Sequence, residues 1–299
     1  MIKPKLILRA KIIAAIRRFF TDNDFLEVET PLRIPAPAPE AHIDAQPTGD
    51  FYLHTSPELC MKRLLAGGYQ RIYQICHCFR QKERGRRHLP EFTLLEWYFT
   101  HGNYLDMMVH TEDLIKYVAC IMECSQTLLY QTDTIDLASP WERLSVKEAF
   151  DRFGSLSMEK ALKTQRFDEI MGMEIEPQLG FEQPVFLYDY PAQAGALAKI
   201  KSEDTNLAER FELYIAGVEL CNAFSELTDT NEQRRRFERE LAHRSKNGRN
   251  VYPLPHKFLD ALEFMPPACG NALGIDRLVM LFGDTDRIDE VVAFTPEEL

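Results

Sequence analysis

The sequence predicts an α+β fold built on an antiparallel sheet flanked by helices. Alternating apolar runs at 72–79, 91–99, 185–190, 210–214, 218–224 and 268–274 read as strands. Apolar residues at helical spacing mark helices over 5–22, 103–126 and 275–282. The two kinds follow one another without the regular strand–helix–strand rhythm of a doubly wound sheet. With 299 residues, 45% of them hydrophobic, the chain can bury a full core, and 14 Gly and 17 Pro without a repeat exclude collagen-like or disordered classes. It is read as one domain over 1–299, with a helical insertion at about 140–180.

Taken in order, Leu6, Ala10, Ile13, Arg17 and Phe20 define the first helix, which stops at Thr21-Asp22-Asn23-Asp24. A short strand is expected over 25–30, then an extended, Pro-rich surface crossing over 34–39. Ser56 is the expected N-cap of a helix over 59–65, with Pro57 at its first position. The strands 72–79 and 91–99 form an antiparallel pair around an Arg-rich loop at 81–90, and a loop of that length is usually functional. Helical pieces fill 140–171, one opened by the capping box Ser145 to Glu148. A second capping box, Thr230 to Gln233, is expected to open a charged helix ending near Asn247-Gly248.

There are 46 acidic and 35 basic side chains, a net charge of −11. This argues against nucleic-acid binding through a global positive field. The first twenty residues are broken by Lys3, Lys5, Arg9, Lys11, Arg17 and Arg18, so no signal peptide is expected, and no run reaches membrane-spanning length. Seven scattered cysteines suit a reducing cytoplasm. Cys76-His77-Cys78 lacks a second ligand pair, and in a strand His77 points away from the two thiols, so no metal is expected there.

Three features stand out. In the strand 91–99, period two puts Phe92, Leu94, Glu96 and Tyr98 on one face. A carboxylate among such neighbours needs a partner, either an internal Arg or Lys or a cationic ligand. The loop carries Arg80, Arg84, Arg86, Arg87 and His88, which suits a polyphosphate or is merely solvated. A tight turn at Ala216-Gly217 would pair 214 with 219 and set Glu212 diagonal to Glu219, a pair of oxygen donors fit for Mg²⁺. Asn222 and Glu226 have the other parity, so a shared pocket would require a bend in the strand. Gly270 to Gly274 lets a ligand approach the backbone, with Arg277 just beyond. No Ser-His-Asp or Cys-His nucleophile is evident.

These residues resemble a known family. Phe79-Arg80 followed by His88 to Thr93 is similar to motif 2 of class II aminoacyl-tRNA synthetases. Gly274-Ile275-Asp276-Arg277-Leu278 resembles motif 3, and the first helix with Glu29-Thr30-Pro31 resembles motif 1, the dimer interface of that family. The closest subgroup is the lysyl-tRNA synthetases, through Ser56-Pro57-Glu58, 91–98 and 219–226. Motif 1 begins within the first ten residues, so the anticodon-binding barrel is expected to be absent. Such a core is similar to the elongation factor P–(R)-β-lysine ligase family, and Ala272, where lysyl-tRNA synthetases usually have Gly, points the same way.

The resemblance implies ATP and Mg²⁺ as cofactors. Arg80 would grip the α-phosphate and the substrate carboxylate, and Arg87 and His88 the outer phosphates. Phe92 and Arg277 would sandwich adenine beside Gly274, and Glu212 and Glu219 would hold Mg²⁺. Ser56, Glu58, Glu96, Tyr98, Asn222, Glu226 and Ala272 would form the amino-acid pocket. The implied reaction activates (R)-β-lysine or lysine as an adenylate and passes it to a lysine of elongation factor P. The implied setting is a cytoplasmic homodimer with no tRNA and no membrane. The alternatives are a tRNA-charging enzyme and a non-catalytic regulatory paralogue. Two departures bear on them: Lys82 stands where the motif has Glu, with Glu83 next, and Ala223 replaces a Gly and is expected to narrow the pocket. The run Arg234, Arg235, Arg236 and Arg239 is read as a solvated face rather than a docking face.

Overall fold

The structure is a computed structural model and describes residues 3–195 and 197–299. Helix α1 (Lys3–Asp22) leads into strands β1 (Leu26–Glu27), β2 (Arg33–Ile34), β3 (Pro47–Thr48) and β4 (Phe51–Leu53). Helix α2 (Glu58–Ala66), β5 (Arg71–Phe79), β6 (Glu91–Thr100) and α3 (Tyr104–Ile121) follow. Next come β7 (Thr127–Tyr130), β8 (Asp133–Asp136), β9 (Glu142–Ser145), α4 (Val146–Phe153), α5 (Met158–Lys163) and α6 (Phe167–Ile170). The chain closes with β10 (Val185–Pro191), β11 (Leu207–Ile215), β12 (Val218–Ser225), α7 (Thr230–Lys246), α8 (His256–Leu262), β13 (Ala268–Gly274) and α9 (Ile275–Phe282).

Eight strands form one sheet in the order β1-β5-β6-β13-β12-β11-β10-β9. Its six central strands pair antiparallel, as expected for α+β, while β1 and β9 add parallel edges. One face is dry. Tyr73, Leu95, Trp97, Phe211, Leu213 and Leu273 pack there against Ile12, Ile16 and Phe20 of α1, Leu114 and Val118 of α3, and Leu278 of α9. Burying each such side chain stabilises the fold by about 1.5–3 kcal/mol. A second cluster holds α4–α6 on β9 and β10. No helix among the described residues is long and apolar enough to cross a membrane.

Several local expectations are corrected. The strand foreseen at 25–30 shrinks to β1, whose last ladder bond runs from the Val28 N–H to the Tyr73 carbonyl of β5. The Pro-rich segment is not a surface crossing, since Ile34, Pro37 and Pro39 are buried. Pro57, not Ser56, holds the N-cap position of α2, although the Ser56 hydroxyl still accepts from the Glu58 N–H. Helix α7 is capped by Asp229, which accepts from the Glu232 N–H, so Thr230 is its first helical residue. The helix foreseen to 126 stops at Ile121, and a β7–β8 hairpin follows. The Ser145–Glu148 capping box forms as read.

Candidate active site

The open face of the sheet carries polar side chains in register. Gln74, Glu96, Ala272, Asn222 and Glu212 lie opposite one another on five successive strands. Beside that row run Tyr98, Gly270, Phe224 and Arg210, and on the other side Cys76, Leu94 and Gly274. The bend that parity required is a bulge in β12. Tyr214 pairs with Glu219 but Leu213 pairs with Cys221, so Leu220 is an extra residue. Glu219 and Asn222 thereby join Glu212 on one face.

Above the row opens a cleft of about 570 Å³, lined by Arg80, Arg87, His88, Phe92, Glu212, Glu219, Asn222, Ala272, Gly274 and Arg277. Ser56, Glu58, Glu96, Tyr98 and Glu226 do not line this volume; Glu96, Tyr98 and Glu226 are buried beside it, and Ser56 and Glu58 are half-buried. Glu96 is 1% exposed. It accepts hydrogen bonds from the Ser56 hydroxyl at 2.5 Å and the Tyr98 hydroxyl at 2.6 Å, and no cation pairs with it among the described residues. Burial, reinforced by nearby Glu58, pushes its carboxyl up to about 8.

Glu58 and Glu226 are placed differently. The buried Lys62 ammonium sits between them and bonds both. Burial alone would discharge Lys62, but the carboxylates of Glu226 and Glu58 hold its ammonium above the usual range. Gly270 makes room for this cluster, since a methyl group there would run into the Tyr98 ring and the Glu226 carboxylate. Lys62→Met is expected to lower stability by about 3–5 kcal/mol at pH 8, because two buried carboxylates would lose their cation. The loss should shrink in urea melts at pH 5, where Glu226, whose carboxyl burial pushes up to about 8, takes up a proton. A pH-independent loss would refute the charge argument.

At the phosphate end, the Arg80 guanidinium lies 5.0 Å from the Phe92 ring centre. Its nearest carboxylate, Glu83, is 3.7 Å away, and its Nε is buried without a partner. Lys82 takes a left-handed φ of 66° and is exposed, so Glu83 rather than Lys82 reaches Arg80. Arg87 donates to the Gly217 carbonyl at 2.6 Å. Arg277 donates to the Glu219 carbonyl and carboxylate, and to His88 Nε2 at 2.7 Å. Burial and the Arg277 charge lower the His88 pKa and favour the neutral ring.

Glu212 accepts from Tyr190 and Tyr214 and pairs with Arg210 at 2.5 Å, and burial raises its carboxyl. Glu219 is only half-buried; desolvation raises its carboxyl, but Arg277 outweighs that and holds it below the usual range. Glu176 joins them: burial, then Glu212 and Glu219, push it up to about 7. Three mutually repelling oxygen donors fit a hard divalent cation such as Mg²⁺.

Ala223 does not narrow the pocket. It packs into the dry face of the sheet, opposite Phe211 and Asn271. The arginine run on α7 divides: Arg236 is buried and bonds Glu232 and the Ala198 carbonyl, while Arg235 and Arg239 face solvent. Sequence reasoning missed Lys62, Arg210, Glu176 and Glu40, the last a cleft-lining acid whose carboxyl burial pushes up to about 7. The first two had a signal, Glu58 four residues before Lys62 on a helix and Glu212 two after Arg210 on a strand.

This geometry belongs to a known class. A family model described as tRNA synthetases class II (D, K and N) matches residues 1–298, and the chain belongs to that family. Among its relatives, a protein named elongation factor P–(R)-β-lysine ligase from Erwinia tasmaniensis is 41% identical over 97% of this chain and 94% of its own. A protein of the same name from Proteus mirabilis is 41% identical over 97% and 94%, and one from Salmonella arizonae 38% over 98% and 95%.

Proposed function

We propose that this chain is an ATP-dependent ligase that activates a lysine, (R)-β-lysine in the first instance, and transfers it to a lysine side chain of elongation factor P. The observation that carries the reading is Glu96: a buried carboxylate held by two hydroxyls and no cation, one rung behind the Ala272 wall of the cleft. A substrate ammonium supplies the charge that Glu96 lacks. Tyr98 and Ser56 fix the carboxylate, and Glu58, at the edge of the same cluster, adds negative potential. A guest reaching Glu96 along the Glu96–Ala272–Asn222 row has its carboxyl end in the cleft, toward Arg80.

In the reaction, a substrate carboxylate oxygen attacks the α-phosphorus of ATP. The bond to the bridging oxygen breaks and pyrophosphate leaves with the electron pair. The acceptor amine then attacks the acyl carbonyl, AMP departs and the amine loses a proton. Arg80 steadies charge on the α-phosphate, Arg87 and His88 meet the outer phosphates, and Phe92 with Arg277 brackets the base beside Gly274. Mg²⁺, bound by Glu212 and Glu219 with Glu176 near, would neutralise phosphate charge. The chain's part is positioning and electrostatics, with no covalent enzyme intermediate.

The test is incubation of purified elongation factor P with enzyme, ATP and each lysine isomer, read by intact mass. A β-lysyl adduct that requires ATP is expected; pyrophosphate exchange at blank level with both isomers would overturn the reading. Homodimer formation is supported by exposed apolar residues near the first helix, Ile7, Leu26 and Leu32. Sedimentation equilibrium should give twice the chain mass, and a monomer at micromolar concentration would refute it.

A further inference from the structure

Behind the cleft, on the same open face, two thiols and an imidazole converge. Cys76 and Cys78 stand two residues apart on β5 and share a face, while His77 points away and pairs with Glu91 at 2.8 Å. His54 enters from the end of β4. Its N–H donates to the Leu32 carbonyl and its carbonyl accepts from the Phe79 N–H, so its backbone is fixed at both ends. The three ligand atoms form a nearly equilateral triangle. Cys76 Sγ to Cys78 Sγ is 3.9 Å, and His54 Nε2 is 3.8 Å from each sulfur. A tetrahedral zinc ion with bonds of about 2.3 Å to sulfur and about 2.0–2.1 Å to nitrogen sets its ligands about 3.6–3.8 Å apart. The triangle is therefore close to one face of such a tetrahedron before any ion arrives.

We propose that His54, Cys76 and Cys78 bind a borderline-soft divalent metal ion of the zinc class, next to the substrate pocket. His54 and Cys78 are fully buried, and Cys76 is partly open and offers the way in. Among the described residues these are the one set of three His, Cys or acidic side chains whose ligand atoms all lie within 4.8 Å of one another. Gln74, on the next rung of the same face, contacts Cys76 and has a buried side-chain oxygen without a partner, leaving one more donor beside water for the fourth position. Without metal, His54 Nε2 lies 2.8 Å from the His77 carbonyl and Nδ1 is buried without a partner. Metal capture at Nε2 gives up that bond and moves the ring proton to Nδ1, so the imidazole stays neutral, and both thiols release protons. Zinc with two thiolates and a neutral imidazole has no net charge. Glu96, cross-strand from Gln74, thus remains available to a substrate ammonium, and the site would tie β4 to β5 just before Ser56 and Glu58. A disulfide fits less well. Residues two apart on an extended strand have Cα atoms about 6.6 Å apart, at the far end of the disulfide range. The proposal does not depend on the adenylate chemistry.

The test uses the full chain, purified without metal-affinity resin, stripped by chelator and titrated with Co²⁺ under reducing conditions. One equivalent should bind with a thiolate-to-cobalt charge-transfer band that Zn²⁺ displaces. His54→Asn should weaken Co²⁺ binding at least tenfold, and Cys76→Ser/Cys78→Ser should abolish the band while Cys60, Cys120, Cys124, Cys221 and Cys269 remain. Absence of the band in the wild type, or an undiminished band in the double variant, overturns the site. Should the variants not fold, alkylation of the wild type decides. Zinc should protect Cys76 and Cys78, and equal labelling with and without zinc overturns the proposal, as does a Cys76–Cys78 disulfide whose reduction restores no metal uptake.

Discussion

Glu96→Gln is expected to cut lysine-dependent pyrophosphate exchange at least about 100-fold while leaving the unliganded chain as stable as the wild type or more so. The substitution keeps the shape of the side chain. The Tyr98 hydroxyl can still donate to the amide oxygen, and Ser56 keeps its bond from the Glu58 N–H. What disappears is the acid of the Glu58–Glu96–Glu226 cluster that no cation pairs among the described residues. Truncating one side of a buried, hydrogen-bonded charge pair costs about 2–5 kcal/mol in binding, and a 100-fold loss needs about 2.7 kcal/mol. Stability should move the other way. Burial, then Glu58, raises the folded-state carboxyl to about 8 from an ordinary value of 4.5. Between those limits the folded chain holds a proton that the unfolded chain has lost, so stability falls as pH rises, by at most about 1.4 kcal/mol per pH unit. Gln carries no such slope. The variant's advantage should therefore be absent near pH 4.5 and largest above pH 8 in thermal melts. Substrate binding should release a proton at pH 7 from wild type only, measured by calorimetry in buffers of differing ionisation enthalpy. Wild-type kcat/KM in the variant would sink the assignment of Glu96.

The same cluster shows where sequence reading succeeds and where it stops. Strand parity alone put Phe92, Glu96 and Tyr98 on one face, because the pleat is local and β6 has no bulge. Parity failed for Glu219 and Asn222, since Leu220 is an extra residue and nothing in its type announces it. Whether an internal or an external cation serves Glu96 is a question that strand parity does not answer. The fold answers it twice: Lys62 neutralises Glu58 and Glu226, while Glu96 receives only hydroxyls. Lys62 had a local signal, whereas the convergence of Ser56 on Glu96, forty residues apart, is tertiary. His54 is likewise brought to Cys76 and Cys78 by a tertiary contact, its carbonyl accepting from the Phe79 N–H, across more than twenty residues, and no spacing rule predicts that. Caps divide on the same line. Ser145–Glu148 forms because its box is self-contained, while at α7 Asp229 competes one position earlier and wins. The Pro-rich segment is buried because other elements cover it, which proline content cannot disclose.

Arg80→Ala is expected to lower the exchange rate about 10²–10³-fold with little change in folding stability, the size of effect seen when one preorganised charge is removed from a transition state. Two observations set this arginine apart from the other cleft cations. Arg277 is already engaged by Glu219 and His88, and Arg87 by the Gly217 carbonyl. Arg80 meets only Glu83 at 3.7 Å and the face of Phe92, and its buried Nε has no partner. Its main chain is anchored, since the Arg80 N–H donates to the Pro90 carbonyl at 2.9 Å, while its guanidinium spends little of its bonding capacity within the chain. A group so placed stabilises something that arrives later. Its long ion pair with Glu83 contributes at most about 1 kcal/mol to folding, so urea midpoints should barely move. Arg80→Lys should restore charge but not the planar fork that meets a phosphate and a carboxylate together, and most of the rate loss should persist. The loss should fall mainly on kcat rather than on the lysine KM, because charge on the α-phosphate grows toward the transition state whereas the ammonium contact proposed for Glu96 would be the same throughout. Near-normal exchange in Arg80→Ala, or full rescue by Lys, would remove Arg80 from the chemistry and leave it a loop support.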